Sequence, residues 1–99
     1  MPNEFELIAR YFLRRNESEA AGVVLGVGDD CALLSVTPGR QLVVSVDTSV
    51  VDVHFPAEAP ASAIGYRALA VSLSDLAAMG ARARWCTMAL TLPQADEAW

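Results

Sequence analysis

An aspartate set inside a long apolar helix constrains this chain more than any other feature. Residues 61–79 run from Ala61-Ser62-Ala63-Ile64 to Ser74-Asp75-Leu76-Ala77-Ala78-Met79, with Pro56 and Pro60 before them and Gly80 after. Proline lacks an N–H and fixes φ, and glycine adopts the left-handed conformation that closes helices, so the segment is punctuated at both ends. The spacing predicts one helix over 61–79, with Ile64, Ala68, Val71, Leu76 and Met79 among its apolar positions. The neighbours of Asp75 three and four residues away are Val71, Ser72, Ala78 and Met79, none of them cationic. A carboxylate in that company is either a solvated surface charge or the partner of a bound cation, because burial without a partner is costly. The second reading is the one we carry forward. Gly65, Ser72 and Ala77-Ala78 keep the helix surface low, so a strand or a ligand can approach it.

Two further carboxylate groups adjoin hydrophobic strand-like runs: Gly26-Val27-Gly28-Asp29-Asp30 and Val46-Asp47-Thr48. On an extended backbone Asp29 and Asp30 point to opposite sides. They serve one site if the chain bends there, or if metals lie on either side. A solvated turn is the competing reading. Asp47 stands at a strand end, where α/β proteins place ligand-binding groups, and Thr48 adds a hydroxyl. A simple loop cap competes equally there. If the three segments converge, their oxygens form a site for a hard cation, most simply magnesium. His54 is the chain's single histidine, which excludes a histidine-rich zinc site. It reads either as a packed loop histidine or as a group that touches a phosphate or orients a substrate, with Asp52 keeping the loop acidic.

Residues 4–15 carry Phe5, Ile8, Ala9, Phe12 and Leu13 at helical spacing, with Asn16-Glu17-Ser18 as the stop. Residues 31–36 and 41–46 read as strands joined into a hairpin by the turn Thr37-Pro38-Gly39-Arg40, and residues 85–92 as a third strand. The expected fold class is α/β or α+β, with a mixed sheet and helices on one face. Pro93 to Trp99 reads as the opening of a helix with Asp96 as its cap, so the expectation is a piece of a longer protein.

The 99 residues suit one small domain, and 54% hydrophobic against 19% charged residues excludes a disordered chain. A net charge of −5, with Arg14-Arg15 and the pair Arg82 and Arg84 as the only small clusters of basic residues, argues against direct nucleic-acid binding. A divalent cation can still bridge an acidic protein to a polyphosphate. Cys31 and Cys86 form no metal motif and read as buried thiols, although Cys31 follows the acidic pair. The N-terminus has no signal-peptide pattern and no run is apolar enough to span a membrane, so the expected location is the cytosol. GxxxxGK[ST], HExxH and GxSxG are absent, and the glycines from Gly22 to Gly28 have the wrong spacing for a dinucleotide loop.

With those residues in place, the chain resembles the thiamine-monophosphate kinase family of the aminoimidazole ribonucleotide synthetase superfamily. The resemblance is carried by Glu4-Phe5-Glu6-Leu7-Ile8, by Gly26-Val27-Gly28-Asp29-Asp30-Cys31-Ala32, by Val46-Asp47-Thr48 through Val53-His54-Phe55, and most specifically by the run from Gly65 to Ala81. Together these segments span essentially the whole chain, in family order. Arg67 stands where lysine is common, Ser72 where asparagine is common, and Val51-Asp52 where glutamate and glycine are common.

The resemblance implies transfer of the γ-phosphoryl group of ATP to thiamine monophosphate, with several magnesium ions and no assigned general base. Asp29, Asp30, Asp47 and Asp75 match the family's acidic magnesium ligands, and Thr48 matches an accompanying ligand position. Asp30, Thr48 and Arg67 fall to ATP, and Asp52 and His54 to the thiamine substrate. It implies a homodimer paired through its sheets, and makes residues 1–99 an incomplete N-terminal ATP- and magnesium-binding domain, the C-terminal domain being absent. Two alternatives stay open: another ATP-using enzyme of the superfamily, hydrogenase-maturing or selenophosphate-forming, and a non-catalytic dimerisation domain.

Overall fold

The computed structural model describes residues 1–13 and 22–99. Their elements, in chain order, are helix α1 (Glu4–Leu7) running into a π turn (Ile8–Phe12), strands β1 (Val23–Leu25) and β2 (Leu33–Leu34), and helix α2 (Ala61–Ala78). This is a mixed α/β arrangement with one small two-stranded sheet and two helices. The chain divides into two compact units, one comprising Met1–Leu42 with Leu90–Ala98, the other Val43–Ala89 with Trp99.

In the first unit, α1 opens on a capping box that sequence reading overlooked, although Asn3-x-x-Glu6 is its signature. The Asn3 carboxamide oxygen accepts from the Glu6 N–H at 2.9 Å, and the Asn3 N–H donates to the Glu6 carboxylate at 2.9 Å. The helix expected over 4–15 does not persist as an α-helix. It widens at Ile8, where the Leu13 N–H reaches back five residues to the Ile8 carbonyl at 2.9 Å, and Leu13 itself is extended. So short a helix is marginal without packing, and Phe5, on its intended apolar stripe, is 79% exposed. The expected stop at Asn16-Glu17-Ser18 lies outside the described residues. Arg10 and Tyr11 both bond Glu97, which ties this turn to the 90–98 segment. The Tyr11 hydrogen bond first, and the Glu97 charge second, hold the Arg10 pKa above its ordinary value.

The expected hairpin forms with a different partner. β2 pairs antiparallel with β1, Val23 opposite Leu34 and Leu25 opposite Leu33, with an irregularity between the two pairs. The acidic pair therefore sits in the β1–β2 connection. The turn at Thr37–Arg40 is present, with Gly39 at φ +77° and the Arg40 N–H on the Thr37 carbonyl at 3.1 Å. Beyond it, residues 41–46 form no ladder, and neither do residues 85–92. β-propensity reflects fit to cross-strand neighbours more than backbone preference, so a valine-rich run does not become a strand alone. Likewise no helix forms over 93–99, although Asp96 does accept a hydrogen bond from the Ala98 N–H at 3.0 Å.

The second unit is dominated by α2, whose limits match the proline and glycine signals. Its C-terminus closes as a Schellman motif: Ala81 N–H bonds the Leu76 carbonyl at 2.9 Å, Gly80 N–H bonds the Ala77 carbonyl at 3.0 Å, and Gly80 lies at φ +67°. Ile64, Val71, Ser72 and Leu76 are half-buried, whereas Tyr66, Leu69, Leu73 and Met79 are exposed. No described residue of either unit is fully buried. Cys31 and Cys86 are accordingly exposed thiols, not the buried ones expected. Among the described residues no helix is long and apolar enough to cross a membrane.

A Cβ at position 80 would meet no atom within 4 Å, so only backbone strain opposes a side chain there. Gly80→Ala should therefore weaken the helix end by about 1 kcal/mol and Gly80→Asn by less, read as loss of far-UV helical signal on heating. Equal melting of all three proteins would show that the motif does not hold the helix end.

Candidate functional site

Each group of site residues predicted from sequence has its own local geometry. In the first unit, Gly28 takes φ +114°, a conformation few other residues tolerate. The chain turns there, and the Asp29 carboxylate accepts the Asp30 N–H at 2.8 Å. Asp29 and Asp30 are both exposed, at the bend that sequence reading required if the two carboxylates were to work together.

The second unit holds Asp47, Thr48, Asp52, His54, Arg67 and Asp75, all exposed. Asp75 is thus not the buried acid that its apolar helix implied. One turn after half-buried Val71, it accepts a hydrogen bond from the Ser45 hydroxyl at 3.2 Å. Ser45 is the partner that sequence reading missed. It stands two residues before Asp47, on the same side of an extended chain, but nothing in the sequence linked it to Asp75. The bond sets the α2 carboxylate against the chain segment that leads into Asp47-Thr48. Arg67 lies two turns earlier on α2 and forms no ion pair among the described residues.

The segment carrying Asp52 and His54 is closed on itself. Val53 and His54 both donate backbone N–H groups to the Val50 carbonyl, at 3.2 and 2.8 Å, and the Asp52 N–H bonds the Phe55 carbonyl at 2.7 Å. The Val50 N–H in turn donates to His54 Nδ1 at 2.9 Å. This closure holds Asp52 at φ +62°, the only non-glycine residue in the left-handed region among those described. Glycine, common at this position in the family the chain resembles, adopts that conformation freely, and aspartate tolerates it better than most residues.

Within neither unit do three or more His, Cys, Asp or Glu side chains gather closely enough to enclose a metal ion, among the described residues. By donor chemistry alone, the carboxylates of Asp47 and Asp75 and the hydroxyl of Thr48 are the hard oxygen ligands that magnesium takes. That ion keeps several waters and is commonly held by one or two carboxylates plus substrate phosphates. Elsewhere in this unit the Arg84 guanidinium stacks over the Trp85 ring at 4.8 Å from its centre.

Residues 28–99 match the family model described as AIR synthase related protein, N-terminal domain. The chain is 54% identical over 96 residues to thiamine-monophosphate kinase of Escherichia coli (strain K12), covering 97% of this chain and 29% of that protein. It is 47% identical over 96 residues to thiamine-monophosphate kinase of Haemophilus influenzae, again 97% of this chain and 29% of that protein. The Bacillus subtilis protein of the same name is 40% identical over 92 residues, 92% of this chain and 28% of its own length. The chain thus spans under a third of the length of these relatives. No solved structure matches it.

The left-handed Asp52 generates a local test. Asp52→Gly should leave amide exchange at Val53 and His54 unchanged or slower, while Asp52→Val should accelerate it about tenfold, as a penalty of about 1–2 kcal/mol requires. Indistinguishable exchange in the two variants would remove the conformational constraint at this position.

Proposed function

The chain belongs to the AIR synthase related protein family, whose N-terminal domain it carries, and we propose that it is the magnesium- and nucleotide-binding part of a thiamine-monophosphate kinase. In this reading residues 1–99 are an N-terminal domain, and a protein of the relatives' length supplies the rest of the active site. The reaction is ATP plus thiamine monophosphate giving ADP plus thiamine diphosphate. A phosphate oxygen of thiamine monophosphate attacks the γ-phosphorus of ATP, and the bond from that phosphorus to the bridging oxygen of ADP breaks. The attacking oxygen is already anionic, so the chain need supply no general base.

The observation that carries this reading is the Ser45–Asp75 hydrogen bond, which brings the carboxylate of α2 to the segment entering Asp47-Thr48. On the family resemblance, Asp47, Thr48 and Asp75 would act as magnesium ligands in the second unit, and Asp29 and Asp30, in the β1–β2 connection, as magnesium ligands in the first. Magnesium, when bound, supplies neutralisation of phosphate charge and alignment of the attacking and leaving oxygens. Asp30, Thr48 and Arg67 contact ATP, the arginine by its fixed positive charge on phosphate. Asp52 and His54 face the thiamine substrate. The family resemblance supports each of these roles residue by residue. A cytosolic location belongs to the same reading.

We also propose a homodimer formed through the sheet, completing a mixed sheet with its helices on one face. The exposed apolar side chains of β2 and of residues 42–46 support it: Leu33 is 54%, Val44 71% and Val46 86% exposed. Exposed edges of this kind pair readily with a second chain. Sedimentation equilibrium should detect dimer at high micromolar concentration, and monomer alone would count against the proposal.

In a protein of the relatives' length carrying this chain, Asp47→Asn should lower turnover on the order of 10²-fold at limiting magnesium, with little change in unfolding midpoint, because it deletes charge and keeps shape. Asp75→Ala should weaken magnesium-nucleotide binding roughly tenfold or more. Near-normal turnover of Asp47→Asn would exclude a ligand role for that residue. Unchanged nucleotide titration of Asp75→Ala would do the same for Asp75.

A further inference from the structure

The loop over residues 50–55 is closed by a bond that one proton can remove. The Val50 N–H donates to His54 Nδ1 at 2.9 Å. Only a ring nitrogen with a free lone pair accepts such a bond, so the ring that closes the loop carries no proton on Nδ1. A second proton on the ring would set one N–H against another. Imidazole is the side chain suited to gain and lose that proton near neutral pH.

The loop has little else to hold it closed. Asp52 sits at φ +62°, a conformation that a non-glycine residue keeps only where its surroundings impose it. Burial does not impose it, because residues 50–54 are exposed and Phe55 is only half-buried. Hydrogen bonds do. The Val50 carbonyl accepts from the Val53 and His54 N–H groups at 3.2 and 2.8 Å, and the Phe55 carbonyl from the Asp52 N–H at 2.7 Å. Val51 and Phe55 are bridged besides. Backbone amides do not titrate in this range, so the imidazole bond is the proton-sensitive member of the set.

No ion pair reaches the ring among the described residues. The charged side chains of the second unit are Asp52 on the loop itself, Asp47, Glu58 and Asp75 elsewhere, and the cations Arg67, Arg82 and Arg84. Asp52 is the nearest to His54 in sequence, and a variant below removes its attraction for an imidazolium.

We propose that His54 is a proton-operated latch: the neutral ring holds residues 50–55 closed with Asp52 left-handed, and the doubly protonated ring releases them. The geometry fixes the sign. The neutral ring alone accepts the Val50 bond, so closure is present on the alkaline side of the ring's titration and is lost as pH falls through it. The consequence is regulatory. A ligand of this loop meets a preformed surface while the ring is neutral, and must itself order the loop in acid. The latch does not depend on what that ligand is.

The chain's single histidine gives one set of ring signals in a nitrogen-15 NMR titration. At neutral ring charge, Nδ1 should be unprotonated and coupled across the hydrogen bond to the Val50 amide nitrogen. That coupling should vanish as the ring protonates. Amide protection at Val50, Val53 and His54, read as exchange relative to an unstructured peptide of the same sequence at each pH, should fall about 3- to 10-fold with the same midpoint, the loss of one hydrogen bond. A protonated Nδ1 in the neutral ring, or protection that does not change across ring protonation, overturns the proposal.

Two variants separate the latch from general loosening in acid. His54→Asn offers an amide oxygen where Nδ1 stands and cannot titrate. Its protection should therefore be constant across the same pH range, at the closed level where that oxygen accepts the Val50 N–H and at the open level where it does not. A fall parallel to the wild type overturns the proposal. Asp52→Asn removes the loop's carboxylate and tolerates the left-handed conformation. Its loop should still open with the ring, and loss of that response would assign opening to the carboxylate and overturn the latch.

Discussion

With no described residue fully buried, the regular structure of this chain depends on backbone groups that find partners within a few residues. Backbone N–H and C=O groups need partners wherever water is excluded, and short-range closure is the least demanding way to supply them. The chain shows it repeatedly. A capping box starts α1, a Schellman motif ends α2, and reciprocal bonds between residues 50 and 54 close the candidate substrate loop. Each is written in sequence over fewer than seven residues, and each leaves side chains facing outward.

Against that local background a few longer-range polar contacts stand out. Ser45 to Asp75 spans 30 residues and joins α2 to the segment before Asp47. Arg10 and Tyr11 reach Glu97 across more than 80 residues. All the partners except half-buried Ser45 are exposed, so charge at these contacts is screened by solvent and contributes little stability. Their importance is positional. In the second unit the Ser45–Asp75 bond fixes the helical carboxylate against the chain segment that precedes Asp47-Thr48.

Asp52 shows how a non-glycine residue can hold a left-handed position. A glycine position usually signals either close approach or positive φ. Here it is positive φ, and aspartate meets that demand at modest cost while adding a carboxylate to the loop. The loop's backbone path and its chemistry are therefore separable. The first is set by the left-handed residue and the bonds to Val50, the second by which side chains stand on it.

Punctuation was the part of the fold most legible in the sequence. Pro60 and Gly80 bounded α2 correctly, and Pro38-Gly39 marked a true turn, because these residues act through their own φ angles and missing groups. The site residues were legible as residue types, since an unpaired aspartate in an apolar helix is conspicuous without any coordinates. Strand pairing was not legible. Val43-Val44 and Trp85 to Leu92 have strand-forming composition yet form no ladder, while the two-residue β2 pairs with β1 instead of its expected partner. A strand exists only through hydrogen bonds to another strand, and that choice belongs to the tertiary arrangement. The same distinction separates Asp75 from Ser45. The sequence by itself determined that a carboxylate stands on α2; only the tertiary structure decided which hydroxyl meets it, because a contact 30 residues apart leaves no periodic mark on the chain.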